Sequence, residues 1–281
     1  MLNYDLFDAV HSFRVNASAV HRAFMSWKCI EYRESKETVQ PAFFDVCPED
    51  PTTDVELVKK EQDACSTICI EADNWQRASL LADGKKVTLI VKNVPSEHEI
   101  AKLKATGAIA LQYALQPESL AWPKPQWSRL ADSVHAAKEA GFHVKAMVPR
   151  VPSLQQAART ALRAIACGVD MIYDNHAHAV PATAIVLARA VRFAREVDPS
   201  ITVGLKVNGA TTDHDMVISL VRRELGFELT PQNFRLEVPR SVTVSRPIAL
   251  VGDGKNWIHS AHRMMKESGQ FTHGAGPDVF L

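Results

Sequence analysis

Apolar and polar positions along the chain repeat one unit: a short apolar strand, a capped helix, a glycine, and the next strand. Thr53-Asp-Val-Glu56 has the spacing of a capping box and opens a helix to about Ala64, followed by the strand Ser66-Thr-Ile-Cys-Ile-Glu71. Lys86-Val-Thr-Leu-Ile-Val-Lys92 is the next strand. Ser96-Glu-His-Glu99 is a second capping box, and Ala108-Ile-Ala-Leu-Gln-Tyr113 follows its helix. A helix over about 128–140 precedes Phe142-His-Val-Lys-Ala-Met-Val148. A helix capped at Ser153-Leu-Gln-Gln156 precedes Val169-Asp-Met-Ile-Tyr173. A helix from Pro181 to about Glu196 precedes Ile201-Thr-Val-Gly-Leu-Lys-Val207, and Thr212 or Asp213 caps one more. Gly107, Gly141, Gly168 and Gly226 each stand just past a helix, where a left-handed backbone ends it.

Val- and Ile-rich strands alternating with helices predict βαβ units and a parallel sheet. Seven strands begin near 42, 66, 87, 108, 142, 169 and 201. An eighth is expected at Phe234-Arg-Leu-Glu-Val238 or Ile248-Ala-Leu-Val251. The expected fold is α/β, a single (β/α)8 TIM barrel over 41–268, with an N-terminal helical extension over 1–40 and a tail over 269–281. A doubly wound open sheet is the runner-up. The helix expected from Asn16 to about Arg33 would plug or flank the barrel.

Length and composition agree with one large globular domain: 281 residues, 46% hydrophobic and 23% charged. The 32 basic and 32 acidic side chains cancel, which argues against a nucleic-acid partner. The cancellation hides a split: 1–75 carry 7 basic and 14 acidic residues, and the rest of the chain the opposite excess. No apolar run is long enough to cross a membrane and the start lacks a secretory pattern, so a cytoplasmic protein is expected. Cys29, Cys47, Cys65, Cys69 and Cys167 suggest reduced thiols rather than a disulfide framework.

A barrel places its chemistry where the strands end. The densest cluster there is Tyr173-Asp-Asn-His-Ala-His178. Strand alternation would put Asp174, His176 and His178 on one side. They would then serve as ligands of a divalent metal or as an acid/base pair in which Asp174 orients His176; the plain reading is a polar loop. Lys206 lies inside an apolar strand. Desolvation there would favour its neutral amine and make it a candidate Schiff-base nucleophile or oxyanion partner; the plain alternative is a strand-end lysine paired with a carboxylate. Lys92 and Lys145 raise the same question. Glu49 and Asp50, Tyr113, Gln112, Arg150 and Asn208 also close strands, and Asn208, Asp50, Tyr113, Lys145 and Arg150 are the expected substrate contacts. Gly252-Asp-Gly254 would suit a phosphate or a plain turn. Arg189, Arg192 and Arg195 form a helical stripe expected on a solvated face. No Gly-rich phosphate fingerprint follows the first strand, so no nucleotide cofactor is expected.

From about Ala42 to Leu220 the order of segments resembles the HMG-CoA-lyase-like metal-dependent aldolase barrels, including 4-hydroxy-2-oxovalerate aldolases. Phe44-Asp-Val-Cys-Pro-Glu-Asp50 is similar to that family's D-V-T-L-R-D, and Val203-Gly-Leu-Lys-Val-Asn208 falls where it has V-G-x-H-x-H. The resemblance implies a metal held through Asp50. In place of the family's arginine and metal-binding histidines this chain has Glu49, Lys206 and Asn208. A metal would therefore need His176 or His178, or else the Lys206 ammonium would replace it. Val203 to Gly209 also resembles the V-G-x-K-x-x-G strand of deoxyribose-phosphate aldolases. Their Schiff-base lysine is on the preceding strand, where this chain has Tyr173-Asp174.

The expectation is an aldolase or lyase acting on a small oxo-acid or phosphorylated metabolite, with Lys206, His176 and Asp174 catalytic. The alternatives are a barrel isomerase or metal hydrolase using Asp174, His176 and His178, and a non-catalytic barrel that binds a protein. The expected partner is a small-molecule substrate, with a homo-oligomer left open.

Overall fold

A computed structural model describes residues 1–30, 44–47, 68–74, 87–149, 153–174, 181–208, 214–226 and 233–239. Eight parallel strands close into a barrel in sequence order: β1 (Phe44–Cys47), β2 (Ile68–Glu71), β3 (Val87–Val91), β4 (Ala110–Ala114), β5 (His143–Val148), β6 (Met171–Asp174), β7 (Gly204–Asn208) and β8 (Phe234–Pro239). The expected barrel is therefore present, and of the two candidates for the eighth strand it uses the one from Phe234. The helix expected over 53–64, the segment Ile248-Ala-Leu-Val251, Gly252-Asp-Gly254 and the tail from Gly269 lie outside the described residues.

The helices between strands are α3 (Glu97–Lys104), α4 (Lys124–Glu139), α5 (Leu154–Ala166), α6 (Pro181–Val197) and α7 (His214–Leu225), preceded by α1 (Tyr4–Ala9) and α2 (Ala17–Ile30). The capping box read in the sequence forms. The Glu99 carboxylate accepts from the Ser96 backbone N–H at 2.7 Å, and Ser96 Oγ accepts from the Glu99 N–H at 3.4 Å. The Ser96 backbone N–H and hydroxyl both donate to the Glu99 carboxylate, at 2.7 Å each, and hold it below the usual carboxylate range. Ser153 caps α5 through the Gln156 N–H at 3.2 Å. At Gly168 the backbone turns left-handed (φ 92°), which any Cβ would strain, and releases the chain from α5 into β6.

At the N-terminal ends of the strands, Asp170 ties three strands together. Its carboxylate accepts from the Val144 N–H at 2.8 Å and pairs with Lys138 at 2.7 Å, and its carbonyl accepts from the Gly204 N–H at 2.6 Å. The N-terminal helices flank the barrel rather than plug it. Asn3 donates its backbone N–H to Ala166 O at 2.7 Å and its side-chain amide to Asp198 at 2.9 Å. Leu6, Phe7 and Val10 join the core between barrel and helices, while Val20 of α2 packs with Ile185 and Val186 of α6. The covering helix explains why α6 is buried on nearly all sides from Ala182 to Val191. The arginine stripe on α6 is only partly solvated. Arg189 makes a two-pronged pair with Glu224 of α7, at 2.7 and 3.3 Å.

Gly204 opens β7 where a side chain has no room. A Cβ there would lie 2.6 Å from Met171 Cε and 3.1 Å from the Asn233 carbonyl oxygen. Gly204→Ala is expected to lower stability by about 1–3 kcal/mol, checked by urea unfolding, because the carbonyl is backbone and cannot swing aside.

Candidate active site

The strand register decides which side chains share the barrel interior. Thr88 lies in register with Ala110, and Ala110 with His143. Yet the group that reaches Thr88 is Lys145, two residues further along β5, whose Nζ donates to Thr88 Oγ1 at 3.3 Å. Tilted strands in a closed barrel impose that climb between alternate strands. From Lys145 the register leads to Met171 and on to Gly204, and the same two-residue climb arrives at Lys206. Thr88, Lys145 and Lys206 thus belong to one interior layer. All are buried, Lys145 at 4% exposure and Lys206 at 0%.

On the intervening strands the positions level with this layer are Leu111 and Ile172, which face the helices as part of the main core. The next residues on, Gln112 and Tyr173, face inward and form the layer above, nearer the C-terminal mouth. Lys206 Nζ reaches that layer and stands over the Tyr173 ring, 4.7 Å from its centroid. The ring's negative face favours the cation there. Ala114 and Met147, further along their strands, form with Tyr173 a buried apolar group against which Ile90 packs. A pocket of about 280 Å³ opens over Ile90 at the mouth, bordered by Glu71, Asp73, Lys92, Asn93 and Glu99. Ile90 thus lines that pocket and packs against the buried apolar group of Ala114, Met147 and Tyr173.

Of the residues singled out in the sequence, Lys145 and Lys206 come together in the interior. Asn208 ends β7 two residues beyond Lys206, with its backbone in register with Glu237. Tyr113, an expected substrate contact, lies on the helix-facing side of the sheet. It points outward, and its hydroxyl lies 2.9 Å from Ser133 Oγ on α4, which in turn donates to Pro95 O at 2.7 Å. Burial pushes the Tyr113 phenol up to about 12, so it stays neutral. Asp174 also departs from expectation. It is in register with Val148 and on the parity of Ile172, the helix-facing side, because Tyr173 takes the interior position at that level. Lys92 is at the exposed rim, paired with Glu71 at 2.9 Å, and that carboxylate holds its ammonium above the usual lysine value. Asp50, Arg150, His176 and His178 lie outside the described residues.

Sequence reasoning missed Thr88 and passed over Gln112. The signal was parity: Thr88 is the polar residue between Val87 and Leu89, and Gln112 alternates with the small Ala110 and Ala114 while the bulky Leu111 and Tyr113 take the other face.

No protein-family model matches the chain, and no curated protein does. Solved structures do match. A protein from Toxoplasma gondii assigned as a deoxyribose-phosphate aldolase superposes with a TM-score of 0.57 at 15% identity, covering 79% of this chain and 92% of that one. One from Coccidioides immitis with the same assignment gives 0.52 at 12%, covering 79% and 94%. An aldolase called QR15 gives 0.51 at 14%, covering 81% and 98%. At such identity the likeness is one of fold. It overturns the resemblance to the metal-dependent HMG-CoA-lyase-like barrels: the matched structures are deoxyribose-phosphate-aldolase-type barrels, the group that Val203 to Gly209 also resembles.

Tyr113→Phe removes a hydroxyl that serves only the sheet–helix contact. It is expected to lower stability by about 0.5–1.5 kcal/mol in denaturant unfolding and to leave substrate turnover unchanged.

Proposed function

We propose that the chain is an aldolase-type carbon–carbon lyase that captures a small carbonyl substrate on Lys206. The supporting observation is the pair of lysines, Lys145 and Lys206, buried in one layer of the barrel interior. Burial takes both amines out of water, and desolvation favours the neutral amine, the form that attacks a carbonyl. Lys206 suits that role because its Nζ rises to the next layer and stands against the Tyr173 ring. Lys145, anchored on Thr88, suits the role of the retained positive charge.

In this reading the Lys206 amine adds to the carbonyl carbon, and the carbinolamine expels water to give an iminium ion. The iminium accepts the electron pair of the neighbouring C–C bond as that bond breaks. In the same step the hydroxyl of the departing fragment gives its proton to the Lys145 amine, left neutral by the loss of water, and the fragment leaves as an aldehyde. Lys145 returns that proton to the enamine carbon, and water hydrolyses the resulting iminium to free the Lys206 amine. The Lys145 ammonium, in the same layer, steadies the oxygen of the carbinolamine and supplies the proton with which it departs as water. The apolar cover of Ile90, Met147 and Tyr173 keeps bulk water from the reactive iminium, and it must part to admit substrate. The matched aldolase barrels support the choice of reaction class by analogy of fold. The mixed charge of the pocket above Ile90 suits a polar small molecule. A cytosolic setting belongs to the same reading; among the described residues no helix is long and apolar enough to cross a membrane.

The test is turnover of a panel of phosphorylated and unphosphorylated aldols, read as aldehyde release. Lys206→Met keeps the volume and removes the amine. It is expected to lose about 10³-fold or more in kcat with the fold retained. Lys145→Met is expected to lose less, and EDTA treatment to change nothing. Full activity in Lys206→Met, or activity abolished by EDTA and restored by a divalent metal, would refute the reading and favour the metal-using alternative.

A further inference from the structure

Among the described residues, the interior holds one polar group that neither the fold nor the lysine chemistry employs. Gln112 is fully buried, and both its amide atoms, Nε2 and Oε1, lack a hydrogen-bond partner. No other described side chain leaves two polar atoms in that state. A buried carboxamide without partners is costly, and folding gains nothing from it. Its place is specific. Gln112 is in register with Lys145 on one side and Ile90 on the other. It shares its layer with Tyr173, the ring against which Lys206 Nζ rests. The unsatisfied amide and the amine that attacks the carbonyl are therefore at the same height in the barrel.

We infer that Gln112 is a specificity-determining residue that binds a hydroxyl on the carbon next to the captured carbonyl, so that the substrates are α-hydroxy aldehydes or ketones. The inference rests on the proposed capture by Lys206. The chemistry selects a hydroxyl. A carboxamide offers one donor and one acceptor side by side, and a hydroxyl answers both: its oxygen accepts from Nε2–H while its O–H donates to Oε1. The carbonyl oxygen cannot be the lasting partner, because it leaves as water when the imine forms. A neighbouring hydroxyl stays through every later step. Such a site rejects a substrate lacking the hydroxyl, since the amide would remain buried and unpaired.

The experiment compares glycolaldehyde with acetaldehyde, which differ by that hydroxyl alone. Each is trapped on the full-length protein with borohydride, and the adduct is read by intact mass. Gln112→Leu is made alongside Gln112→Met, which keeps the unbranched shape. The wild type is expected to favour glycolaldehyde. Both variants should lose that preference by about tenfold or more while trapping acetaldehyde to within about twofold of wild type. An unchanged preference in a folded variant would overturn the inference and leave the capture by Lys206 standing. Thermal unfolding is a second readout, independent of the covalent step. Removing an amide that folding does not use should raise the Tm of both variants, and a fall in both would show that the amide is structural and overturn the inference. If the wild type traps neither aldehyde, the capture by Lys206 is refuted and the part assigned to Gln112 falls with it, whereas a lost effect of the Gln112 variants alone leaves the capture standing.

Discussion

Closing eight tilted strands into a ring leaves an interior that only side chains can fill, and the tilt dictates which of them meet. Between alternate strands from β3 to β7, the inward residue of a layer lies two positions further along than the register alone would place it. The contact between Lys145 and Thr88 is the local expression of that rule, and the presence of Lys206 in the same layer follows from it. A lysine in this position has exchanged water for a tyrosine ring and barrel walls. Two lysines in one such layer are costly to bury, and close packing elsewhere must offset them. Much of the rest of the molecule meets that requirement: the outward faces of β3 to β7 are chiefly Val, Leu, Ile and Ala packed on the helices, and the N-terminal helices cover the outside of α6.

The architecture was legible because it rests on local rules. Strand and helix periods differ, and glycines that end helices and serines that begin them are set by backbone chemistry within a few residues. Ser96 with Glu99, Ser153 with Gln156, and Gly168 all behave as their local sequence demands. The N-terminal helices were legible as helices but not in their docking. That docking depends on Asn3 meeting Asp198 and Gln155 meeting the backbone of Phe13 and Val15, contacts between residues far apart in the chain.

The site was legible only in part. Lys206 was conspicuous because a lysine amid Leu205 and Val207 is out of place on an apolar strand. Tyr113 and Asp174 are placed differently from the expectation for a common reason. Closeness to a strand end says nothing about which face a residue occupies, and both fall on the helix-facing parity. The face is fixed by neighbours on other strands, so it becomes readable only once the register is known. Gln112 carries the same lesson with the opposite outcome. Unremarkable beside Tyr113 in the sequence, it is the residue that parity turns inward, and its amide remains unpaired there.

Lysine capture in the upper layers of the barrel is the central claim, and locating the covalent bond tests it most directly. The protein would be incubated with isotope-labelled glycolaldehyde, reduced with borohydride, digested and mapped by peptide mass spectrometry. The label is expected on Lys206, in the peptide spanning β7, at near one equivalent per chain. Label spread over surface lysines, or confined to any lysine other than Lys206, would contradict it.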